Sequence, residues 1–447
     1  MKKYFEIIFY VSFSAGMAFG TSCFMMLAGL SAITTAGWGV LAIFLSALLC
    51  ILISASIAEL ASMYPSAPGI RTYLKVSFDD RLSLTLVYLY LIFMILVAGV
   101  ESYLFARVTK VIFPGLPTMG IVFGLLAFTI IVNTLGLELP RSLQIISTVL
   151  LLLSVITLGV YGIVKVDPAV TGSSLVDGAN VPGQLKLLPA TIIMAVFLFT
   201  GFEWVTMLGF RPQAYARRIP LSMPLAILLL LLVYSLFAFA LSYQLPRQTI
   251  ADTPVPQVLY FINLLGPNGG YVAWGISVLA IFSTFNAGIM GGARLIYVLT
   301  REGNLPKWCG KMSLRTGAPV GGIFTLGAFV TISSVLVVTY ELELLAAVVG
   351  SAIVSFVYAA YVLAAIVLRR KQPKARRTFR TPSPRWLQWL LVFLLPAMGL
   401  ASLFSQVNMQ FQPALTLAAL IVLAWFMAHW SLLRVGRPRT MASKERI

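Results

Sequence analysis

The stretch GMAFGTSCF, from Gly16 to Phe24, decides how this chain is read, because two glycines and two hydroxyl residues interrupt the middle of a long apolar run. That run, about residues 6–32, is long enough to cross a hydrocarbon core of about 30 Å as a helix. A helix carrying Gly16, Gly20, Thr21 and Ser22 at its centre can unwind there. Unwound backbone at that depth presents amides and carbonyls without helical partners, and these hold a ligand's charged groups or an ion. Gly16 and Gly20 also spell the small-xxx-small pattern of a close helix crossing.

A second stretch repeats the theme. FLFTGFEW, from Phe197 to Trp204, sets Thr200 and Gly201 near the middle of another apolar run and follows them with Glu203. An ionisable group at that depth costs a few kcal/mol or more, so Glu203 is expected to face a protein interior or an aqueous path and to have a partner. A buried structural glutamate is the alternative.

Outward from these two points the chain is apolar almost throughout. Of its 447 residues 60% are hydrophobic and only 10% charged, and the mean hydropathy is +0.95. These values lie far from the roughly half-apolar composition of soluble domains. Twelve spans are expected, at about residues 6–32, 37–62, 82–106, 117–135, 142–164, 188–210, 222–243, 269–299, 319–338, 344–368, 387–405 and 413–433. Runs this continuous fit helices, not the alternating strands of a barrel. The first has no convincing small-residue cleavage site behind it and is expected to be retained.

The net charge of +18 admits a nucleic-acid partner, but its placement argues against one. With the N-terminus in the cytoplasm, Arg107, Lys110, Lys165, Lys186 and Arg247 fall outside. Apart from Arg294 at the inner end of a span, every other Lys and Arg falls inside, which is the asymmetry that orients membrane proteins. The basic run from Lys371 to Arg385 is either a solvated topogenic loop or a surface for anionic lipid headgroups. Three cysteines, Cys23, Cys50 and Cys309, are too few and too scattered for a disulfide or metal framework. No cofactor is expected. With one histidine and few buried acids, no enzyme site assembles either.

Spans one and six are separated so that a unit beginning at span six enters the membrane from the opposite face to the first. Two interrupted helices at equivalent places in two inverted five-helix units is the pattern of alternating-access transporters. The expected divisions are 1–164 for the first repeat, 165–368 for the second, and 369–447 for the basic loop, two further helices and a cytoplasmic tail.

Four motifs together resemble the amino acid-polyamine-organocation superfamily. They are GMAFGTSCF; AELASMYPSAPGIRTYLK, from Ala58 to Lys75; FTGFEW, from Phe199 to Trp204; and ARLIYVLTREGNLPKW, from Ala293 to Trp308, with Thr316 to Val320 behind it. The resemblance implies an all-α membrane protein with the five-plus-five inverted repeat of the leucine-transporter fold and two added C-terminal helices. It implies a secondary active transporter of amino acids in the cell (inner) membrane, working by proton symport or exchange. An exporter or antiporter for amines or polyamines, and an amino acid sensor that keeps the permease fold without transporting, are the alternatives.

Carried over by position, the resemblance places substrate at Gly16, Ala18, Gly20, Thr21, Ser22, Phe197, Thr200 and Gly201. The amides of Thr21 and Ser22 would receive a carboxylate, and carbonyls near Ala18, Phe197 and Thr200 an ammonium. Phe197 matches a gating aromatic and Glu203 a residue associated with proton dependence or gating. The chain departs from the family pattern in two places: Ser22 stands where a glycine is usual, and Leu151, counted from Gly136, stands where many proton-coupled members carry a lysine. Ser283 and Thr284 in span eight suggest a sodium site, against the plainer reading of hydroxyls bonded to their own helix. A proton is the favoured coupling ion. Glu59, Glu101 and Arg294 are expected to reach the membrane interfaces, Glu101 the outer one, and His429 to sit on a peripheral helix.

Overall fold

The computed structural model describes residues 2–65, 68–136, 141–165, 181–207, 212–253, 255–404 and 411–435. The expected cytoplasmic tail after residue 435 and the first part of the expected second repeat, residues 166–180, lie outside them. The helices are α1 (Lys2–Ala18), α2 (Thr21–Ile33), α3 (Ala36–Met63), α4 (Gly69–Ser77), α5 (Asp80–Ile112), α6 (Thr118–Thr134), α7 (Arg141–Val164), α8 (Val181–Phe199), α9 (Pro212–Gln244), α10 (Arg247–Asp252), α11 (Pro256–Leu265), α12 (Gly269–Arg301), α13 (Val320–Tyr340), α14 (Glu343–Lys371), α15 (Arg385–Leu403) and α16 (Gln412–Val435).

Each of the twelve expected spans coincides with helix. By length and composition ten stretches of helix among the described residues are able to cross a membrane, and the bent pair α1–α2 makes an eleventh. α6 is apolar but shorter, at 17 residues, so twelve crossings exceeds what length alone supports. Large apolar side chains such as Phe128, Ile131, Leu153, Leu232, Phe329 and Phe393 stand exposed on the outer helix faces. In water such a surface would be a liability; against lipid it is the natural solvent contact.

Inside this shell, α1 packs against α7, α9 and α12, while α5 packs against α12, α13, α14 and α16. The two long helices α9 and α3 lie against one another. The start of α5 is capped by Asp79, whose carboxylate accepts from the Arg81 and Leu82 amides at 3.1 and 3.2 Å.

Two of the loop motifs meet at one end of the bundle. Arg71 on α4 donates through Nε to Glu302 at 2.6 Å and through Nη1 to Ser83 at 2.6 Å, while Lys75 reaches the other Glu302 oxygen at 2.8 Å. Asn304 Nδ2 completes the Glu302 shell at 3.1 Å. The basic loop after α14 is likewise anchored. Glu59, fully buried on α3, accepts from Arg369 at 2.8 and 2.5 Å and from the Thr381 amide at 2.9 Å, and Arg377 Nε lies 3.2 Å away. Glu59 therefore ties the end of α3 to this loop, and Arg369 and Arg377 are committed to the protein.

Candidate functional site

The first interruption lies where the sequence puts it. α1 ends at Ala18, α2 begins at Thr21, and the two are bent by 60°. Gly20 between them is extended, with φ −96° and ψ 175°. The second falls after Phe199, where α8 gives way through Thr200 and Gly201 to a 3-10 turn, Phe202–Met207. Gly201 adopts φ +119°, a conformation that L side chains rarely reach. The breaks touch: a Cβ added at Gly201 would stand 3.0 Å from Ala18 Cα and 3.1 Å from Ala18 N and Met17 C. Only a residue without a side chain lets the two backbones approach this closely.

Broken helices leave carbonyls without helical donors. Tyr234, buried on α9, serves both ends. Its hydroxyl donates to Leu198 O at 2.8 Å and to Ala18 O at 3.3 Å, and the Cys23 thiol lies 3.2 Å from Ala18 O. Phe197 O accepts from the Thr200 amide at 3.1 Å. One side chain thus spans the carbonyl ends of both half-helices and fixes their register.

The breaks border an internal cavity of about 80 Å³, room for roughly half a dozen water molecules. Of the residues expected to hold substrate, Ala18, Gly20, Ser22, Phe197, Thr200 and Gly201 line it. Gly16 and Thr21 lie outside its wall, and so does Ser283, while Thr284 is on it. Most of the remaining lining comes from α5, α12 and α13, chiefly Phe93, Met94, Val97, Phe285, Ile289, Leu326 and Val330, together with Trp204. None of these except Trp204 carries a sequence signal, because apolar residues on a membrane helix look alike whether they face lipid, core or cavity.

The amides of Thr21 and Ser22 point at a carboxylate that belongs to the protein. Glu101 on α5 accepts from Thr21 N at 2.7 Å and Ser22 N at 3.1 Å, and the Ser22 hydroxyl donates to the same carboxylate. Far from reaching an interface, Glu101 is 1% exposed, and what remains of its surface faces the cavity. Its oxygen lies directly over Gly20, where an added Cβ would come within 2.1 Å of Oε1. Ser22, the departure from the family motif, supplies this acid with a third donor.

Glu203 sits behind the cavity wall and is 0% exposed. Tyr90 on α5 donates to its Oε1 at 2.6 Å, and Tyr358 on α14 and the Gly201 amide donate to its Oε2 at 2.9 and 3.1 Å. It joins the second break to α5, which Glu101 also ties to the first break, and to α14. Phe197 meets Phe93 edge to face across the cavity, centroids 6.4 Å apart.

Gly16 faces a separate polar cluster. Gln144 on α7 donates to Ser283 Oγ at 2.7 Å and to Thr148 Oγ1 at 3.3 Å, and Thr148 donates to Ser12 O at 3.2 Å. Thr284 bonds back to Ala280 O at 2.9 Å. Leu151, further along α7, is buried in the apolar core. The position counted from Gly136 is therefore apolar, and the polar residues that α7 turns inward are Gln144, which bonds α12, and Thr148, which bonds α1. Among the described residues no group of three or more His, Cys, Asp or Glu side chains stands close enough together to hold a metal.

Two facing breaks beside a cavity, among described residues that are helical and carry many stretches long and apolar enough to cross a membrane, define a polytopic membrane protein. The amino acid permease family model matches residues 3–427, and the chain belongs to that family. It is similar to the aromatic amino acid transport protein AroP of Corynebacterium glutamicum, 24% identical over 315 residues, or 67% of this chain and 65% of that one. It is also similar to the low-affinity putrescine importer PlaP of Escherichia coli, 26% identical over 338 residues and 70% of each chain. The uncharacterized amino acid permease YecA of Bacillus subtilis is 22% identical over 279 residues, 61% of this chain and 63% of that one. The matched region is thus just under two thirds of YecA and of AroP. In three dimensions the chain shares the fold of the Eremococcus coleocola manganese transporter, with a TM-score of 0.61 and 11% identity over 97% of this chain and 95% of that one.

Proposed function

We propose that the chain is a secondary active transporter, not an enzyme, that moves an amino acid or a closely related amine across the cell membrane by alternating access. The observation that carries this reading is the contact between the two breaks, Gly201 against the backbone of Met17 and Ala18, beside a cavity that both breaks line. A site built from half-helix ends is released when the two halves of the bundle rock against one another. In this reading residues 1–164 and 165–368 are the inverted repeats, residues 369–447 are appended to them, and both termini are cytoplasmic.

Substrate is held at Ala18, Gly20, Ser22, Phe197, Thr200 and Gly201. Gly16 and Thr21 act from behind them, Phe197 gates, and Glu203 couples the second break to α5 and α14. Proton symport or exchange is favoured over sodium coupling, because Ser283 already accepts a hydrogen bond from Gln144 and the Thr284 hydroxyl is shared between Ala280 O on its own helix and Gly16 O on α1. The relatives named as handling aromatic amino acids and putrescine support a substrate that carries an amino group. Uptake of radiolabelled amino acids and amines into proteoliposomes, with imposed proton or sodium gradients, tests the proposal. Binding without flux would replace it with a sensor.

A further inference from the structure

Glu101 occupies the anion subsite of the cavity. Two backbone amides at the start of α2 and the Ser22 hydroxyl converge on its carboxylate, and α2 directs the positive end of its helix dipole at the same point. These donors are the groups that would otherwise receive an α-carboxylate. A substrate bringing its own carboxylate has either to displace Glu101, leaving a buried charge without donors, or to settle beside it, placing two like charges together away from water.

Apart from Thr200 and Thr284, the remaining side chains of the lining are apolar or weakly polar. Phe93, Met94, Val97, Phe197, Trp204 and Phe285 make the walls apolar and largely aromatic, and Glu101 is the one acid among the described residues that line them. Glu203 faces away, taken up by Tyr90, Tyr358 and Gly201. A cavity with a single fixed negative charge and aromatic faces suits a single ammonium on an apolar body, which pairs with the acid while its carbon skeleton packs against the rings. A second ammonium would find no acid to meet it.

We infer that the substrate is a primary monoamine with an apolar body and no α-carboxylate, its ammonium paired with Glu101. The inference rests on the transporter reading of the same cavity and narrows its substrate class.

The test compares matched pairs on the purified full-length protein: isoamylamine with leucine, and phenethylamine with phenylalanine. Affinity is read by ligand-induced thermal shift and flux by uptake into proteoliposomes. Each amine is expected to bind at least about 10-fold more tightly than its parent amino acid, the scale of one unpaired buried charge. Glu101→Gln keeps an oxygen for the amides but loses the charge, so amine affinity should fall by at least about 10-fold and the preference over the amino acid should narrow. If this variant does not fold, the wild-type pairs decide alone. Leucine or phenylalanine binding as tightly as its amine, or amines failing to bind, overturns the inference; amino acid flux in that case leaves the transporter reading standing. Tight amine binding without flux supports the inference and removes the transporter reading instead.

Discussion

Replacing Gly201 by alanine tests the contact on which the site depends. The added Cβ would meet Ala18 Cα at 3.0 Å, about 0.4 Å inside the 3.4 Å at which ordinary van der Waals contact begins, and its neighbours there are backbone atoms that cannot rotate away. At φ +119° the alanine is also conformationally strained, at a cost of about 1–3 kcal/mol. Overpacking a closed contact adds about 1–3 kcal/mol. Partial relaxation of the two half-helices lowers the sum, so the contact should weaken by about 2–4 kcal/mol, a factor of roughly 30 to 1,000. The assay pairs initial uptake rates in proteoliposomes with the thermal unfolding midpoint of the purified protein. Gly124→Ala is the control, since nothing lies within 4 Å of a Cβ built there and its helix gains propensity. Wild-type uptake and an unshifted midpoint for Gly201→Ala would refute the reasoning.

Other substitutions probe the supports of the site. Tyr234→Phe removes the donor shared by Leu198 O and Ala18 O; a loss of about 1–3 kcal/mol in thermal or denaturant stability is expected, and an unchanged midpoint would show that the breaks do not need it. Glu302→Gln leaves Arg71, almost wholly buried, without its counter-charge. It should cost about 2–3 kcal/mol of stability, read in the same melt, with uptake impaired as the junction of the two loop motifs loosens. Glu203→Gln keeps the carbonyl that Tyr90 or Tyr358 can reach but removes the titratable group. Transport should be impaired or its pH dependence altered between about pH 5 and about pH 8, and a superimposable rate profile would take Glu203 out of the mechanism.

The spans were legible because hydrocarbon imposes a length and a composition on whatever crosses it. The breaks were legible because glycine and hydroxyl residues at the centre of an apolar run conflict with an unbroken helix, and the structure unwinds at Gly20 and Gly201. Glu101 was not. Counting its depth from the start of its span put it near the outer surface, but α5 is 33 residues long, about 50 Å at the rise of a helix. A helix that overshoots the bilayer gives no fixed zero from which to count. The signal lay in the other partner: Ser22, where the family carries glycine, is the hydroxyl that answers this acid. Likewise the comparison with the family drew attention on α7 to Leu151, while the residue that bonds Ser283 is Gln144, about two turns earlier, with Thr148 between them bonded to Gln144 and to Ser12 O. Hydropathy says where a helix crosses and little about which face turns inward.

Concentrative uptake by purified protein in sealed vesicles tests the central claim most directly. With a primary amine or amino acid outside and an imposed proton gradient or internal substrate, the account predicts saturable accumulation that is lost in Gly201→Ala. Saturable binding to the same vesicles with no accumulation under either condition would contradict it.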